Sequence, residues 1–262
     1  MLKYFFGHRS SYLNIETIDK VQSLCRSIEN QIDRTKLQED FLQLFHRLLT
    51  FSTKKSPRQI LQEQLKFSLN KSLSQTHAQG VFLDYGQIET AGQLVAIYPG
   101  TIYSRHFDPL LLPSIRNTFL LARKDNLIID GRDRGLSRSI YLSCHARNPL
   151  YDISWLSKDI HQHQNPLTLG HYINHFPSDG LPNVTYYEFD FEFNENQIDF
   201  YRFVPNVRYS DIDEDNRMIM PSVVLISLRP IKQGEELFSC YLNVIEQDKK
   251  SLNLHENISV KE

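Results

Sequence analysis

Met218 to Tyr241 reads MIMPSVVLISLRPIKQGEELFSCY, and the rest of the chain is organised around this stretch. Val223-Val224-Leu225-Ile226 is a β-branched apolar run with the character of a buried strand. Pro230 cannot donate a ladder hydrogen bond and is expected to end that strand, and Gly234 supplies a tight turn. Glu235-Glu236-Leu237-Phe238-Ser239-Cys240-Tyr241 leaves the turn with an acidic pair, an apolar pair and a terminal tyrosine. Composition alone predicts a strand, a turn and a short segment.

Upstream, residues 190–215 are strongly acidic: Asp190, Glu192, Glu195, Asp199, Asp211, Asp213, Glu214 and Asp215 face only Arg202 and Arg208. Such a run reads as a solvated loop or as a rim that attracts basic peptides. Residues 132–170 look like an insertion, carrying Trp155 and the run His161-Gln162-His163-Gln164. Before it, Gly80-Val81-Phe82-Leu83, Gly92 to Gly100 and Asn126 to Gly131 each read as a strand meeting a turn. From Ser74 onward there is no sustained helical period, no βαβ alternation and no repeat, which suits an irregular β fold.

The first 73 residues have a different texture. Ile18, Val21, Cys25, Ile28 and Ile32 recur at helical spacing. So do Phe41, Leu44, Phe45, Leu48 and Leu49, behind Glu39-Asp40, acids suited to a first turn. Ser56-Pro57-Arg58-Gln59 offers an N-cap serine, proline at the first helical position and a capping-box glutamine. A third helix is expected from about 57 to 70, with Ile60, Leu61 and Leu65 inward. Three amphipathic helices (1–73) should therefore pack on one another and on the unit of residues 74–241. Residues 242–262 are polar and read as a tail.

The 262 residues can bury a substantial core. A net charge of −2 gives no support for a nucleic-acid binder, which would usually be strongly basic. Three cysteines, Cys25, Cys144 and Cys240, are odd in number and in no ligand spacing, which argues for free thiols in a reducing compartment. Leu2 to Phe6 is too short for a signal core, and no apolar run approaches a membrane span. The expected setting is soluble and intracellular, in nucleus or cytoplasm.

Three motifs in order resemble those of the SET-domain protein-lysine methyltransferases. The first is Ala78-Gln79-Gly80-Val81-Phe82 followed by Val95-Ala96-Ile97-Tyr98-Pro99-Gly100, similar to a G-x-G turn and a strand ending in Tyr-x-Gly. The first glycine is alanine here. The second is His171-Tyr172-Ile173-Asn174-His175-Phe176, then Pro182-Asn183, with Phe176-Pro177 where the family carries Ser-Cys. The third is the opening stretch, in which Arg229-Pro230-Ile231 precedes Gly234-Glu235-Glu236-Leu237 and Tyr241.

The resemblance covers 74–241 and implies a mostly β (α+β) fold. This is the SET β-clip of short sheets with a knot-like C-terminal crossing, preceded here by the helical region. It implies S-adenosylmethionine as cofactor and a lysine on a protein or peptide, basic ones included, as substrate. Carried over residue by residue, it places Ala78, Gln79, Gly80, Asn174, His175 and Tyr241 at the cofactor. Tyr241 becomes the catalytic hydroxyl, with Tyr98 and Tyr186 as walls of the lysine channel. The chemistry suits those types. Methyl transfer to an amine is an in-line displacement that depends on positioning and desolvation. A lysine must lose its proton first, and an apolar channel lowers its pKa.

Two other readings compete. A non-catalytic SET-fold scaffold, binding cofactor or partner without turnover, is suggested by Ala78, by Phe176-Pro177 and by the missing post-SET cysteines. A metal-dependent hydrolase could be built on His161, His163, His171 and His175, but no H-E-x-x-H is present and no cysteine joins them. No metal site is expected.

Overall fold

Apolar periodicity sets the first layer. The computed structural model describes residues 2–3, 15–51, 53–74, 78–106, 108–210 and 219–241. The predicted tail 242–262 and the acids at 211–215 lie outside them. After a two-residue strand β1 (Leu2–Lys3) come α1 (Ile15–Glu29), α2 (Arg34–Phe51) and α3 (Pro57–Leu65). Val21, Cys25 and Ile28 of α1 and Leu37, Phe41, Leu44, Phe45 and Leu48 of α2 are buried, as their spacing predicted.

Two helix boundaries differ from expectation. Helix α2 begins five residues before Glu39, because Asp33 Oδ1 accepts the main-chain N–H groups of Thr35 and Lys36 and starts the helix there. Helix α3 has the expected capping box between Ser56 and Gln59 but stops at Leu65, not near Asn70. Lys66 takes a left-handed conformation (φ 65°), and the chain then turns into β2 (Phe67–Ser72), whose backbone groups pair with the next strand.

The remaining elements are β3 (Gly80–Gly86), β4 (Leu94–Tyr98), β5 (Gly100–Ser104), α4 (Leu111–Ser114), β6 (Leu120–Ala122), β7 (Leu127–Asp130), α5 (Gly135–Arg147), β8 (Asn174–His175), β9 (Val184–Glu192), β10 (Asn206–Arg208), β11 (Ile219–Ser227) and β12 (Phe238–Ser239). They form small sheets ordered β1-β6-β7-β5-β10, β4-β11-β9, β12-β8 and β2-β3. Helix α5 corrects the reading that no sustained helix follows Ser74. Its buried side, Ser137, Tyr141 and Cys144, carries too few apolar residues to show a period.

The opening stretch supplies the central strand of its sheet: Val223 to Ile226 are wholly buried between β4 and β9. Pro221 is tolerated within β11 because it pairs with β9 alone; pairing with β4 starts at Val223. Strand β9 divides the molecule by its two-residue period. On one side Phe189 and Phe191 meet Phe41 of α2 at ring-centroid distances of 5.2 and 4.9 Å. The intervening positions carry Tyr186 and Asp190. Asp190 bonds the buried Arg123 (2.7 Å), which also bonds Asp125 (2.8 Å), and it bonds Arg34 as well (3.1 Å). That part of the acidic run is thus tied into the fold and is no free rim. One core cluster runs from Val21 to Cys240 and joins helices and sheets. The three cysteines are buried free thiols, and no helix among the described residues is long and apolar enough to cross a membrane.

Burial also creates a pH-dependent weak point. Asp152 is buried and its carboxyl is pushed up to about 6 by desolvation, despite the opposing bond from Ser154 N–H (2.7 Å). A carboxyl that holds its proton more tightly when folded favours the folded state at low pH, and that contribution is lost as pH rises from about 4 to about 6. Asp152→Asn keeps the accepting oxygen and removes the ionisation. It should raise the melting temperature at pH 7 and leave it little changed at pH 4; equal effects at both values would refute the assignment.

Candidate functional site

The site is assembled where the closing stretch passes between two upstream segments. Strand β12 pairs in parallel with β8, Phe238 opposite Asn174 and Ser239 opposite His175. On its other side, Leu237 N–H donates to Val81 O (2.7 Å) and Leu83 N–H to Glu235 O (3.0 Å), which laces it to β3. Asn183 clamps it from outside. Its side chain donates to Glu236 O (2.8 Å) and accepts from Phe238 N–H (2.8 Å), and its own N–H donates to Phe238 O (3.0 Å). Gly234 (φ +86°) makes the turn that aims the stretch into this slot.

At one end lies a small polar cradle. Asn174 Nδ2 donates to Gln79 O (2.7 Å) and to Glu236 Oε1 (3.3 Å). Gly80 stands against them: a Cβ there would lie 2.1 Å from Glu236 Oε1 and 3.3 Å from Asn174 Nδ2, so any larger residue would displace the Glu236 carboxylate. Ala78 is exposed to solvent.

At the other end three tyrosines meet. Tyr98, buried at the end of β4, stands edge-on to Tyr186 (6.1 Å, 73°) and donates its hydroxyl to Phe119 O (2.8 Å). Tyr186 lies 6.3 Å from Tyr241 and accepts from Ser239 Oγ (3.0 Å). Tyr241 donates to Ile173 O (2.5 Å), receives support from His175 Nδ1, which accepts its N–H (3.2 Å), and stacks on the His175 ring (5.2 Å). Burial, reinforced by their mutual proximity, pushes the Tyr241 and Tyr98 hydroxyls well above the ordinary range. Burial, with a smaller contribution from Cys240, raises that of Tyr186 against the bonds from Ser239 and Tyr241. All three therefore stay protonated at neutral pH and serve as hydrogen-bonding groups rather than bases.

The structure thus brings together Tyr98, Tyr186 and Tyr241 at one end, and Gln79, Gly80 and Asn174 at the other, with His175 between. Sequence reasoning gave no role to Glu236, Ser239 or Phe119. Glu236 was visible as part of the Gly-Glu-Glu-Leu run, whereas nothing local marks a carbonyl such as that of Phe119. Phe176, which replaces the family's usual residue, is a buried core side chain beside His175 (4.5 Å).

The histidines have separate surroundings. His163 bonds Ser157 O and Thr168 Oγ1, His171 packs on Trp155 and Tyr172, and His175 supports Tyr241. Among the described residues no three His, Cys, Asp or Glu side chains gather to hold a metal ion.

No protein-family model matches the chain. Two curated relatives do, both SET domain-containing protein 9, from Homo sapiens and Pongo abelii. Each is 37% identical over 196 residues, which is 72% of this chain and 62% and 68% of the respective relatives. The chain spans less than two thirds of the human protein's length. A solved Plasmodium falciparum structure described as a candidate histone methyltransferase overlaps 67% of this chain and 98% of its own, at 13% identity and a TM-score of 0.34. The two curated relatives put the chain in the class of the SET-domain proteins, as the three motifs implied. Within it, the chain belongs to the SET domain-containing protein 9 family, whose members it matches at 37% identity over 72% of its length.

Proposed function

We propose that this chain is an S-adenosylmethionine-dependent methyltransferase acting on lysine side chains of a protein substrate. The observation that carries the reading is the meeting of Asn174, Gly80 and Gln79 with Tyr98, Tyr186 and Tyr241 along one closing segment. The cradle suits a polar, cationic cofactor, because it gathers the oxygen acceptors Gln79 O and Glu236 Oε1 in one electron-rich place. When bound, the cofactor supplies an electrophilic methyl group on a sulfonium.

The cradle residues Ala78, Gln79, Gly80, Asn174 and His175, with Tyr241, would hold it. Tyr98 and Tyr186 wall the acceptor's path: their rings exclude water and favour the neutral amine by desolvation. The Tyr241 hydroxyl, anchored on Ile173 O, orients the amine and accepts weak C–H contacts from the methyl group.

Calorimetric titration of S-adenosylmethionine into the purified chain tests the cofactor. Saturable binding is expected, and Asn174→Ala should weaken it at least about tenfold, since it removes the amide that ties Gln79 to the closing segment. A folded wild-type chain that does not bind the cofactor would refute this proposal. Binding without turnover on a broad protein panel would favour the scaffold reading.

A further inference from the structure

We infer that Glu236 receives the cationic amino group of the bound cofactor and sets its orientation in the cradle. This rests on the methyltransferase proposal above and adds a binding residue to it. The two adjacent glutamates of the closing stretch have different surroundings. Glu235 pairs with Arg229 (2.8 Å) and accepts Lys232 N–H (2.8 Å), so its charge is engaged within the turn. Glu236 forms no ion pair among the described residues. Its Oε1 meets the Asn174 amide (3.3 Å) and its Oε2 accepts from Ser74 Oγ (3.1 Å).

Both of those donors are neutral. A carboxylate has about four acceptor positions, so two neutral donors leave it short of both hydrogen bonds and compensating charge. Glu236 is partly buried, where an uncompensated charge is costly. It is also held in place by its neighbours: its carbonyl is fixed by Asn183, and its side chain lies against the bare α-carbon of Gly80. That glycine therefore makes room for a negative charge beside the cofactor cradle.

The group best matched to this charge is an ammonium. It carries three N–H donors, and Glu236 together with the Gln79 carbonyl offers acceptors within one small space, both already joined through Asn174. A sulfonium has no donor to give them. A substrate lysine is the other cation available to such an enzyme, and the test separates it.

The experiment titrates three probes into the wild-type chain and Glu236→Gln: S-adenosylmethionine, S-adenosylhomocysteine and 5′-methylthioadenosine, which lacks the amino-acid part. Glutamine keeps an oxygen acceptor and removes the charge. Affinity for the first two should fall about 10- to 100-fold, as expected for loss of a hydrogen bond between charged groups, with that for methylthioadenosine unchanged. Equal weakening of all three would reduce Glu236 to shaping the cradle and overturn the inference. So would unchanged cofactor binding with weakened binding of a lysine peptide. If Glu236→Gln fails to fold, the wild-type chain decides alone: a cofactor analogue with hydroxyl in place of the amino group should lose the same factor, and equal affinity overturns the inference. Failure of the wild-type chain to bind any probe removes the cofactor proposal itself, an outcome distinct from these.

Discussion

Tyr241→Phe should abolish most methyl transfer while leaving S-adenosylmethionine binding nearly intact. The variant keeps the ring that stacks on His175 and the main-chain N–H that bonds its Nδ1, so the end of the closing segment stays in place. It loses the hydroxyl held on Ile173 O beside Tyr186. Removal of one preorganised hydrogen-bonding group from a reacting centre costs about 10²–10³ in turnover in comparable cases. The fall should therefore appear in kcat, with the calorimetric Kd for cofactor little changed. Because burial keeps this hydroxyl protonated, the loss should also be similar at pH 7 and pH 9. A variant with wild-type turnover would remove Tyr241 from the chemistry. A loss of cofactor binding as large as the loss of turnover would make it a structural support.

Phe41→Ala should lower the unfolding free energy by about 3–5 kcal/mol, the cost of emptying a fully buried aromatic site. Phe41 has no solvent exposure and touches the rings of Phe45, Phe189 and Phe191. Two of its partners belong to β9, the strand whose alternate positions carry Tyr186. The damage should consequently reach the site: cofactor binding should weaken at temperatures where the variant begins to unfold, and one cooperative transition should be seen. A loss confined to a separate transition of the helices would show that they are thermodynamically independent of the sheets. Chemical denaturation followed by both circular dichroism and tryptophan fluorescence distinguishes the two, since the single tryptophan, Trp155, lies outside the helical layer.

Legibility in the sequence followed the range of the interactions involved. The buried run Val223–Ile226, the capping box at Ser56 and Gln59, and the inward faces of α1 and α2 are local patterns, and local patterns can be read. The end of α3 could not, because β2 forms only when β3 offers its backbone groups to Phe67–Ser72. The alternation Phe189-Asp190-Phe191-Glu192-Phe193 was legible as a strand but was hidden by its acidic residues, which suggested a loop or rim. Asp190 shows why that reading fell short: its charge is answered by Arg123 and Arg34, far away in the chain.

By itself, then, the sequence determined the kind of fold and which residues make up its motifs, because glycine at 80, the Asn174-His175 pair and the closing Tyr241 are written at single positions in a fixed order. Tertiary structure alone decided how they cooperate. The cradle exists only because Glu236, Asn174 and Gln79 come together from segments 62 and 95 residues apart. Which of two adjacent glutamates reaches it depends on the register of β3 against the closing stretch, and side chains alternate in direction along an extended segment, so a neighbour one position away serves the turn instead.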